Sequence, residues 1–446
     1  MSKILITSIG NGSYNKETKR REYEKAKYYI DGHRDETVET EYIYNAIKRF
    51  RAVDKCVFVG TCGSNWHLLY EYLHDSGNLV GQSYDENYSL SLLEKFDEKH
   101  RACKDVQEFR RALEQLKLSM GDFCADIVVL KYGLTTEELL ENFKLLASIS
   151  NIMKEGDSII FDITHSFRSL AVYELLVINY LRYILGKSVN IDSVTYGMFE
   201  YKSENENLVP IVDLSQLVNT MEWMKAAEEY KRFGTARLLA ELIENNPVIK
   251  NQFEAEEIEA LKRLGGLAIS TNGIREFKLM IKNCHKINSD ISKGIIEENF
   301  AFGFIFSDLI KRFGDKTNDD MLLLFELSKW HHEKGRYMES AICVVESFLN
   351  YCEKLTGIPK DANDSPLRDN IKSASREHNP NQIVAQFLHK YNKARLIRNK
   401  LLHGEELSEK KVCELMELGK YFSKVYRKDF KGNIDNEKAL KNSLIF

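Results

Sequence analysis

The chain has 446 residues, which is too many for one ordinary hydrophobic core, so two or three domains are expected. Hydrophobic residues make up 43%, charged residues 29%, and the formal net charge is −4 at pH 7. This balance excludes a protein that holds long duplex DNA on a broad basic surface, since such proteins carry a clear excess of Lys and Arg. A short nucleic-acid contact remains open, because residues 360–403 hold nine Lys and Arg against four Asp and Glu.

Nothing in the sequence predicts export or a membrane span. The apolar run at the start, MSKILITSIG, is too short for a signal peptide, and the apolar helical stretch Leu175–Leu185 is interrupted by Asn179 and Arg182. The eight cysteines are scattered and form no C-x-x-C pair, so neither a zinc ribbon nor a disulfide framework is predicted. We therefore expect a cytoplasmic protein with reduced thiols and no metal site.

Short apolar runs in the first two hundred residues predict β-strands, and helical patterns follow several of them. The runs are Ile4–Ile9, Lys55–Gly60, Asp126–Lys131, Ser158–Thr164, Val189–Met198 and Leu208–Val212. Continuous apolar strands that are each followed by a helix are typical of a mostly parallel sheet covered on both faces. The sequence therefore predicts an N-terminal Rossmann-like α/β domain.

After about Leu214 the strand pattern stops and only helical patterns follow. The whole chain has five prolines, which favours long helices because proline breaks a helix interior. We predict an α/β domain over residues 1–214, a helical connector over 215–300 and an all-α domain over 301–446.

The stretch Asp162–Ser169 (DITHSFRS) lies where a strand turns into a helix, and ligands of parallel sheets bind at the carboxyl ends of strands. Thr164 and Ser166 are residue types that cap helices, and the free N–H groups at a helix start favour an anion. Arg168 can pair with phosphate, and His165 offers a donor or a stacking face. The stretch predicts a site for a phosphodiester or a nucleotide. A capped helix with Arg168 in a structural ion pair is the alternative.

Two other turns follow strands at the same predicted edge. Asn11 lies in the turn after the first strand, and Ser64 and Asn65 lie in the turn after the second, so all three are ligand candidates by position. The G-x-G of the first turn lacks the third glycine of a dinucleotide fingerprint, because Asn15 stands there. Small polar turns also occur on surfaces that bind nothing.

Arg398, Asn399 and His403 form an R-N-x-x-x-H pattern after a helix with apolar periodicity. Residues five apart on an α-helix point about 140° apart, so Arg398 and His403 share a site only near a helix end or across a partner surface. Gly404 is well placed to end the helix there.

These three residue types suit RNA cleavage through attack of the 2′-hydroxyl. Histidine serves as general acid or base near neutral pH, arginine stabilises the charge on phosphorus, and Asn399 orients either the histidine or the substrate. No Asp/Glu cluster suggests a two-metal mechanism. An Arg and a His five apart also occur by chance, and a solvated helix end is the alternative.

Together these features resemble the CRISPR-associated CARF–HEPN ribonucleases of type III systems, over nearly the whole chain. The motifs that carry the resemblance are D-x-T-H-S-x-R-S at Asp162–Ser169, SIGNG at Ser8–Gly12, KYG at Lys131–Gly133, IVDL at Ile211–Leu214, and R-x(4–6)-H at Arg398 to His403. The resemblance makes residues 1–214 a CARF sensor domain and residues 301–446 a HEPN nuclease domain.

The resemblance implies a ribonuclease of antiviral defence that cuts single-stranded RNA without a metal and leaves 2′,3′-cyclic phosphate ends. Its allosteric activator would be a cyclic oligoadenylate, with the tetra-adenylate expected and the hexa-adenylate as the alternative. Two chains would share one ring and pair their HEPN domains, which gives a homodimer or a higher homo-oligomer. No cofactor, no membrane and no stable DNA complex are expected.

Two other readings remain open from the residues. One is a ligand sensor whose HEPN domain only dimerises, which predicts that Arg398 and His403 can be lost without consequence. The other is a dinucleotide-dependent enzyme, which lacks both the third glycine and an acidic residue clearly placed for a ribose. A third hypothesis adds to the first: the sensor domain slowly cuts its own cyclic ligand.

Overall fold

The computed structural model describes residues 1–16, 20–30, 32–81, 83–96, 106–165, 168–183, 190–264, 271–293, 300–360 and 366–445. The chain divides into two compact units, Met1–Asn219 and Thr220–Phe446. No helix in the described ranges is long and apolar enough to cross a membrane.

The N-terminal unit is built on an eight-stranded sheet. The strands of this unit are β1 (Lys3–Ser8), β2 (Ser13–Asn15), β3 (Arg20–Glu22), β4 (Ala26–Ile30), β5 (Val38–Thr40), β6 (Lys55–Thr61), β7 (Cys124–Leu130), β8 (Ser158–Asp162), β9 (Asn190–Gly197) and β10 (Leu208–Asp213). Their order in the sheet is β5-β4-β10-β9-β8-β1-β6-β7, while β2 and β3 form a separate antiparallel pair.

Strands β9, β8, β1, β6 and β7 run parallel, with β1 between β8 and β6. Strand β10 is antiparallel to β9, β4 is parallel to β10, and β5 is antiparallel to β4. The predicted Rossmann-like domain is confirmed, and its sheet is extended by β10 and β4, which run opposite to the parallel strands, and by β5, which runs in their direction. The carboxyl ends of β1, β6, β7 and β8 lie along one edge, which we call the carboxyl edge.

Both faces of this sheet are covered, which explains the continuous apolar runs of its strands. The helices of the unit are α1 (Ile43–Arg51), α2 (Trp66–Asp75), α3 (Glu86–Phe96), α4 (Val106–Ala112), α5 (Glu114–Ser119), α6 (Thr136–Ala147), α7 (Arg168–Tyr183) and the start of α8 (Ser215–Phe233). Leu5 and Phe58 face a core shared with α1 to α5. Ile6 and Phe161 face the opposite core, shared with α6 and α7.

The C-terminal unit is helical, as predicted. Its helices after α8 are α9 (Arg237–Glu244), α10 (Pro247–Lys250), α11 (Ala255–Lys262), α12 (Thr271–Ser292), α13 (Phe300–Phe313), α14 (Asp320–Glu333), α15 (Tyr337–Thr356), α16 (Leu367–Ala374), α17 (Gln382–Leu402), α18 (Glu409–Val425) and α19 (Ile434–Leu444). One core contains Phe277 and Phe306, and the second contains Phe348 and Phe422. The first core contains residues from both sides of the predicted border at residue 300. The division into a connector and an all-α domain therefore stays a proposal.

Candidate ligand and nuclease sites

The turns after β1 and β6 are joined to each other at the carboxyl edge. The Ser64 hydroxyl donates to the Ile9 carbonyl at 2.6 Å and accepts from the Thr61 N–H at 2.9 Å. The Asn65 amide donates to the Asn11 carbonyl at 2.6 Å. Ser64 and Asn65 are fully buried. The structure thus brings the three predicted ligand residues Asn11, Ser64 and Asn65 together. Because the Ser64 hydroxyl is used in bonds between the two turns, we assign Ser64 a positioning role.

Asp162 and Thr164 hold the turn that follows β8. The Thr164 hydroxyl donates to Asp162 Oδ1 at 2.5 Å and accepts from the Gly197 N–H at 2.8 Å. The Thr7 hydroxyl donates to Asp162 Oδ2, also at 2.5 Å. Helix α7 begins only at Arg168. The N-cap role predicted for Thr164 is therefore wrong, because its hydroxyl ties the turn to the neighbouring strand instead.

His165 lies at the centre of the carboxyl edge. Its ring packs edge-on against Tyr23 at 5.3 Å between ring centroids, and the Tyr23 hydroxyl donates to the Gly10 carbonyl at 2.7 Å. A Cβ atom at Gly10 would lie 2.9 Å from the His165 carbonyl oxygen, so the two turns meet only because residue 10 has no side chain. Burial lowers the pKa of His165, against the opposing effect of Asp162, so the ring is neutral near pH 7.

Buried polar atoms without a hydrogen-bond partner cluster at this edge of the described structure. They are Asn11 Oδ1, Asn65 Oδ1, His165 Nε2 and the Tyr173 hydroxyl. Each buried polar group left unpaired costs about 1–3 kcal/mol, and native proteins leave few of them. Four such atoms along one edge of a sheet are typical of a site whose polar partner comes from a ligand.

Glu174 on α7 is a further buried acid next to this edge. It is 3% exposed, and neither carboxyl oxygen forms a hydrogen bond of normal geometry. Burial raises the pKa of Glu174 well above its usual value, Asp162 adds to the shift, and the nearby Ser8 hydroxyl only partly opposes it. Glu174 therefore tends to hold its proton, which makes it a neutral donor and acceptor beneath the turn after β1.

The sequence analysis missed Tyr23 and Glu174. A signal for Glu174 was present, because it lies three, four and seven residues before Val177, Ile178 and Leu181, all of them buried on one face of α7. An acid on an apolar face is a candidate for a functional site. Tyr23 lies in a short stretch of polar residues, so no apolar face in the sequence marked it as a candidate.

Two predicted ligand residues are not settled by the structure. Ser166 lies outside the described residues, and so does the side chain of Arg168, whose backbone is the first residue of α7. Both remain predictions that rest on their residue types and on the sequence motif.

In the C-terminal unit, the predicted helix end at the R-N-x-x-x-H pattern is confirmed. His403 is the C-cap of α17, and Gly404 has a φ of +74°. The Glu405 N–H donates to the Lys400 carbonyl at 3.0 Å, and the Gly404 N–H donates to the Leu401 carbonyl at 3.1 Å. This pair of bonds is a Schellman motif, which requires the left-handed conformation that glycine adopts without strain.

Arg398 and His403 have different surroundings. Arg398 is half-buried, its Nε atom has no hydrogen-bond partner in the described structure, and burial lowers its pKa. His403 is exposed, and the carbonyl of the half-buried Asn399 accepts from its N–H at 3.0 Å. Within the described part of the chain no hydrogen bond or ion pair joins Arg398 to His403. The described contacts of one chain therefore do not link the two predicted catalytic side chains.

Possible metal sites were a further question for the described residues, since the proposed cleavage needs no metal. No group of three or more His, Cys, Asp or Glu side chains there is arranged to hold a metal ion.

The chain is similar to known CRISPR-associated proteins. Residues 4–200 match the family model described as CRISPR system endoribonuclease Csx1, CARF domain. The CRISPR-associated protein MJ1674 of Methanocaldococcus jannaschii is 27% identical over 425 residues. That alignment covers 91% of this chain and 62% of the relative, so the chain spans less than two thirds of the relative's length.

A match to one solved structure spans almost the whole chain. It is Enterococcus italicus Csm6 bound to cyclic hexa-2′-fluoro-hexa-dAMP, with 12% identity and a TM-score of 0.35, and the match covers 99% of this chain and 100% of that chain. We draw no conclusion from a superposition at this TM-score.

The family match falls on the unit that carries the parallel sheet and the carboxyl edge. It confirms the predicted resemblance to CARF-containing proteins. Residues 4–200 of the chain are thus similar to the CARF domain of the Csx1 endoribonuclease family.

Proposed function

We propose that this protein is a single-stranded RNA endoribonuclease of type III CRISPR antiviral defence that a cyclic oligoadenylate switches on. The observation that carries the proposal is the cluster of unpaired buried polar atoms from Asn11, Asn65, His165 and Tyr173 at the carboxyl edge of a Csx1-type CARF domain. Such a cluster is stabilised by a ligand that offers several polar groups at once, as a nucleotide ring does.

The neutral state of His165 suits this ligand. A neutral imidazole can accept a hydrogen bond from the amino group of an adenine, or donate one to a phosphate oxygen. Ser166 and Arg168 complete the proposed site from the motif, with Arg168 supplying the cation for phosphate. We keep the cyclic tetra-adenylate as the expected ring and the hexa-adenylate as the alternative.

The cleavage step is proposed for Arg398, Asn399 and His403 of the C-terminal unit. Exposed His403 would move the proton of the 2′-hydroxyl, and Arg398 would stabilise the charge that develops on the phosphate. Cleavage of this kind leaves 2′,3′-cyclic phosphate ends and needs no metal. Since the described contacts of one chain do not link Arg398 to His403, we propose that two chains pair their HEPN domains to form the site.

An inert sensor is the second candidate, because an exposed histidine at a helix end needs no catalytic role. Cleavage of a fluorescent single-stranded RNA in EDTA separates the two. We expect strong stimulation by the tetra-adenylate or the hexa-adenylate ring and little cleavage without a ring. Linear tetra-adenylate is the matched control ligand. Absence of cleavage with every ring would favour the inert sensor, and strong inhibition by EDTA would contradict the metal-free mechanism.

A further inference from the structure

A cleft of about 580 Å³ lies in the C-terminal unit, between α14 and α18. Its floor contains the small residues Ser328, Ser340 and Gly419. The hydroxyls of Ser328 and Ser340 bond each other at 3.0 Å, so they face inward as a pair. The volume falls in the range of pockets that hold small ligands or a few nucleotides.

The rim of this cleft is strongly basic. The cations that line it are Lys329, Lys420, Lys424, Arg427 and Lys428, all of them exposed, against the one acid Glu326. In the described structure Lys424, Arg427 and Lys428 form no ion pair. The whole chain has a net charge of −4, so the positive charge of this rim is a local excess and not a property of the whole chain.

The segment that carries Arg427 and Lys428 is fixed by contacts with the rest of the C-terminal unit. It is a π-helical turn, Tyr426–Phe430, directly after α18. The Tyr426 hydroxyl donates to Asp319 Oδ2 at 3.2 Å, and Lys431 forms an ion pair with the same carboxylate at 2.8 Å. Phe430 is fully buried. A single π turn in a helix is uncommon and occurs often at functional sites.

From these observations we infer that the cleft binds the phosphate backbone of the RNA substrate at a distance from the cleavage site. Exposed, unpaired cations on a fixed framework suit a flexible polyanion, which such grooves hold without reading its bases. A second copy of the chain does not suit this surface, because a twofold contact would set the same five cations against each other. This inference rests on the proposed ribonuclease function.

Helix α18 relates the cleft to the nuclease motif. It starts at Glu409, a few residues after His403, and Lys420 follows eleven residues later along the same helix. That separation corresponds to a rise of about 16 Å. A stacked strand advances about 3.4 Å per nucleotide, so roughly five nucleotides separate the cleft from the start of α18. RNA shorter than this cannot occupy both the cleft and the nuclease motif.

The test measures RNA binding by the full chain in which His403→Ala prevents cleavage. Lys424→Ala, Arg427→Ala and Lys428→Ala are combined on that background. Lys438→Ala and Lys441→Ala, exposed cations of α19 outside the cleft, form the control. Fluorescence anisotropy of a labelled 20-nucleotide single-stranded RNA gives the affinity at several salt concentrations. Thermal unfolding and mass in solution check that each variant folds and assembles as before.

We expect the cleft variant to bind the 20-nucleotide RNA about tenfold more weakly than the control at 0.1 M salt. The slope of log affinity against log salt should become shallower by about 2, since each phosphate contact of a single strand contributes about 0.7. A tetranucleotide should bind the control more weakly than the 20-nucleotide RNA does, because it cannot occupy the cleft and the nuclease motif at once. Equal affinity and equal slope for the 20-nucleotide RNA would overturn the inference. AMP is titrated into the same two proteins, and weaker AMP binding by the cleft variant with unchanged RNA binding would also overturn the inference, in favour of a small-anion site.

The outcomes separate this inference from the proposed function. If the wild-type protein cleaves RNA while the cleft variant binds RNA like the control, the cleft assignment is wrong and the nuclease stands. If the cleft variant loses RNA affinity while the wild-type protein never cleaves, RNA binding at the cleft stands and the nuclease is wrong.

Discussion

The two proposed sites of this molecule differ in how much of each one chain supplies. At the carboxyl edge, Asn11, Asn65 and His165 lie on adjoining turns, and each has a buried polar atom without a hydrogen-bond partner in the described structure. At the nuclease motif, Arg398 is half-buried and His403 is exposed, and no described bond joins them. A sensor edge that is formed in advance can bind its ligand at once. We propose that the nuclease motif stays inactive until a second surface completes it, which is the property that an activated enzyme needs.

The largest expected effect is at the nuclease motif. His403→Ala should lower activator-dependent RNA cleavage by about 100- to 10,000-fold, the usual contribution of a general acid or base. Binding of cyclic oligoadenylate should not change, because the ligand site is in the other unit. Initial rates with a fluorescent RNA and calorimetric titration of the ring measure the two quantities. His389→Ala, an exposed histidine on the same helix α17, is the control. If His403→Ala also abolished ring binding, the division of labour between the units would be wrong.

Arg398→Ala should lower the same cleavage rate by about 100- to 1,000-fold, because a cation that stabilises the transition-state charge is lost. The KM for RNA should change much less than kcat. Arg395→Ala is the matched control on α17, since its guanidinium already bonds Asn392 at 3.0 Å. A loss confined to KM would assign Arg398 to substrate binding and remove it from the cleavage step.

At the carboxyl edge the expected effect is smaller. Asn65→Ala removes one polar group of the proposed ligand site and the bond to the Asn11 carbonyl, a loss of about 1–3 kcal/mol. The activator concentration for half-maximal cleavage should rise about 10- to 100-fold, with the maximal rate kept. Asn283→Ala removes a comparable amide bond, to the Gln252 carbonyl at 3.0 Å, in the other unit. An unchanged activation curve for Asn65→Ala would move the ligand away from the turn after β6.

The smallest effect concerns Glu174 and the stability of the sensor edge. Burial raises the pKa of Glu174 above its ordinary 4.5, so the folded state holds a proton that the unfolded state releases. Wild-type stability should therefore fall as pH rises above 4.5, by at most about 1.4 kcal/mol per pH unit from this group. Glu174→Gln should unfold at a higher temperature than wild type, and the difference should grow from pH 5 to pH 8.

Thermal unfolding of wild type, Glu174→Gln and Glu155→Gln across this pH range measures the effect. Glu155 is an exposed acid of the same unit and serves as the control. Parallel curves for wild type and Glu174→Gln would show that Glu174 is ionised in the folded protein.

The sequence predicted the parallel core of the fold, because buried strands such as Lys55–Thr61 and Cys124–Leu130 are continuous apolar runs. It missed β2 to β5, since Arg20–Glu22 is short and polar, and Ala26–Ile30 pairs with β10, a strand distant in sequence. The turns that carry Asn11 and Asn65 followed from strand order. The hydrogen bond between the Thr164 hydroxyl and Gly197 could not be predicted in this way. It joins the turn after β8 to β9, and the local sequence does not show that these two strands are neighbours.

The most direct test of the divided nuclease motif mixes two inactive variants. Arg398→Ala and His403→Ala protein are combined, allowed to exchange chains, and assayed for activator-dependent RNA cleavage. If each site takes Arg398 from one chain and His403 from another, mixed dimers contain one intact pair, and activity should return to a substantial fraction of wild type. Activity no greater than the sum of the two separate variants would contradict a site shared between chains.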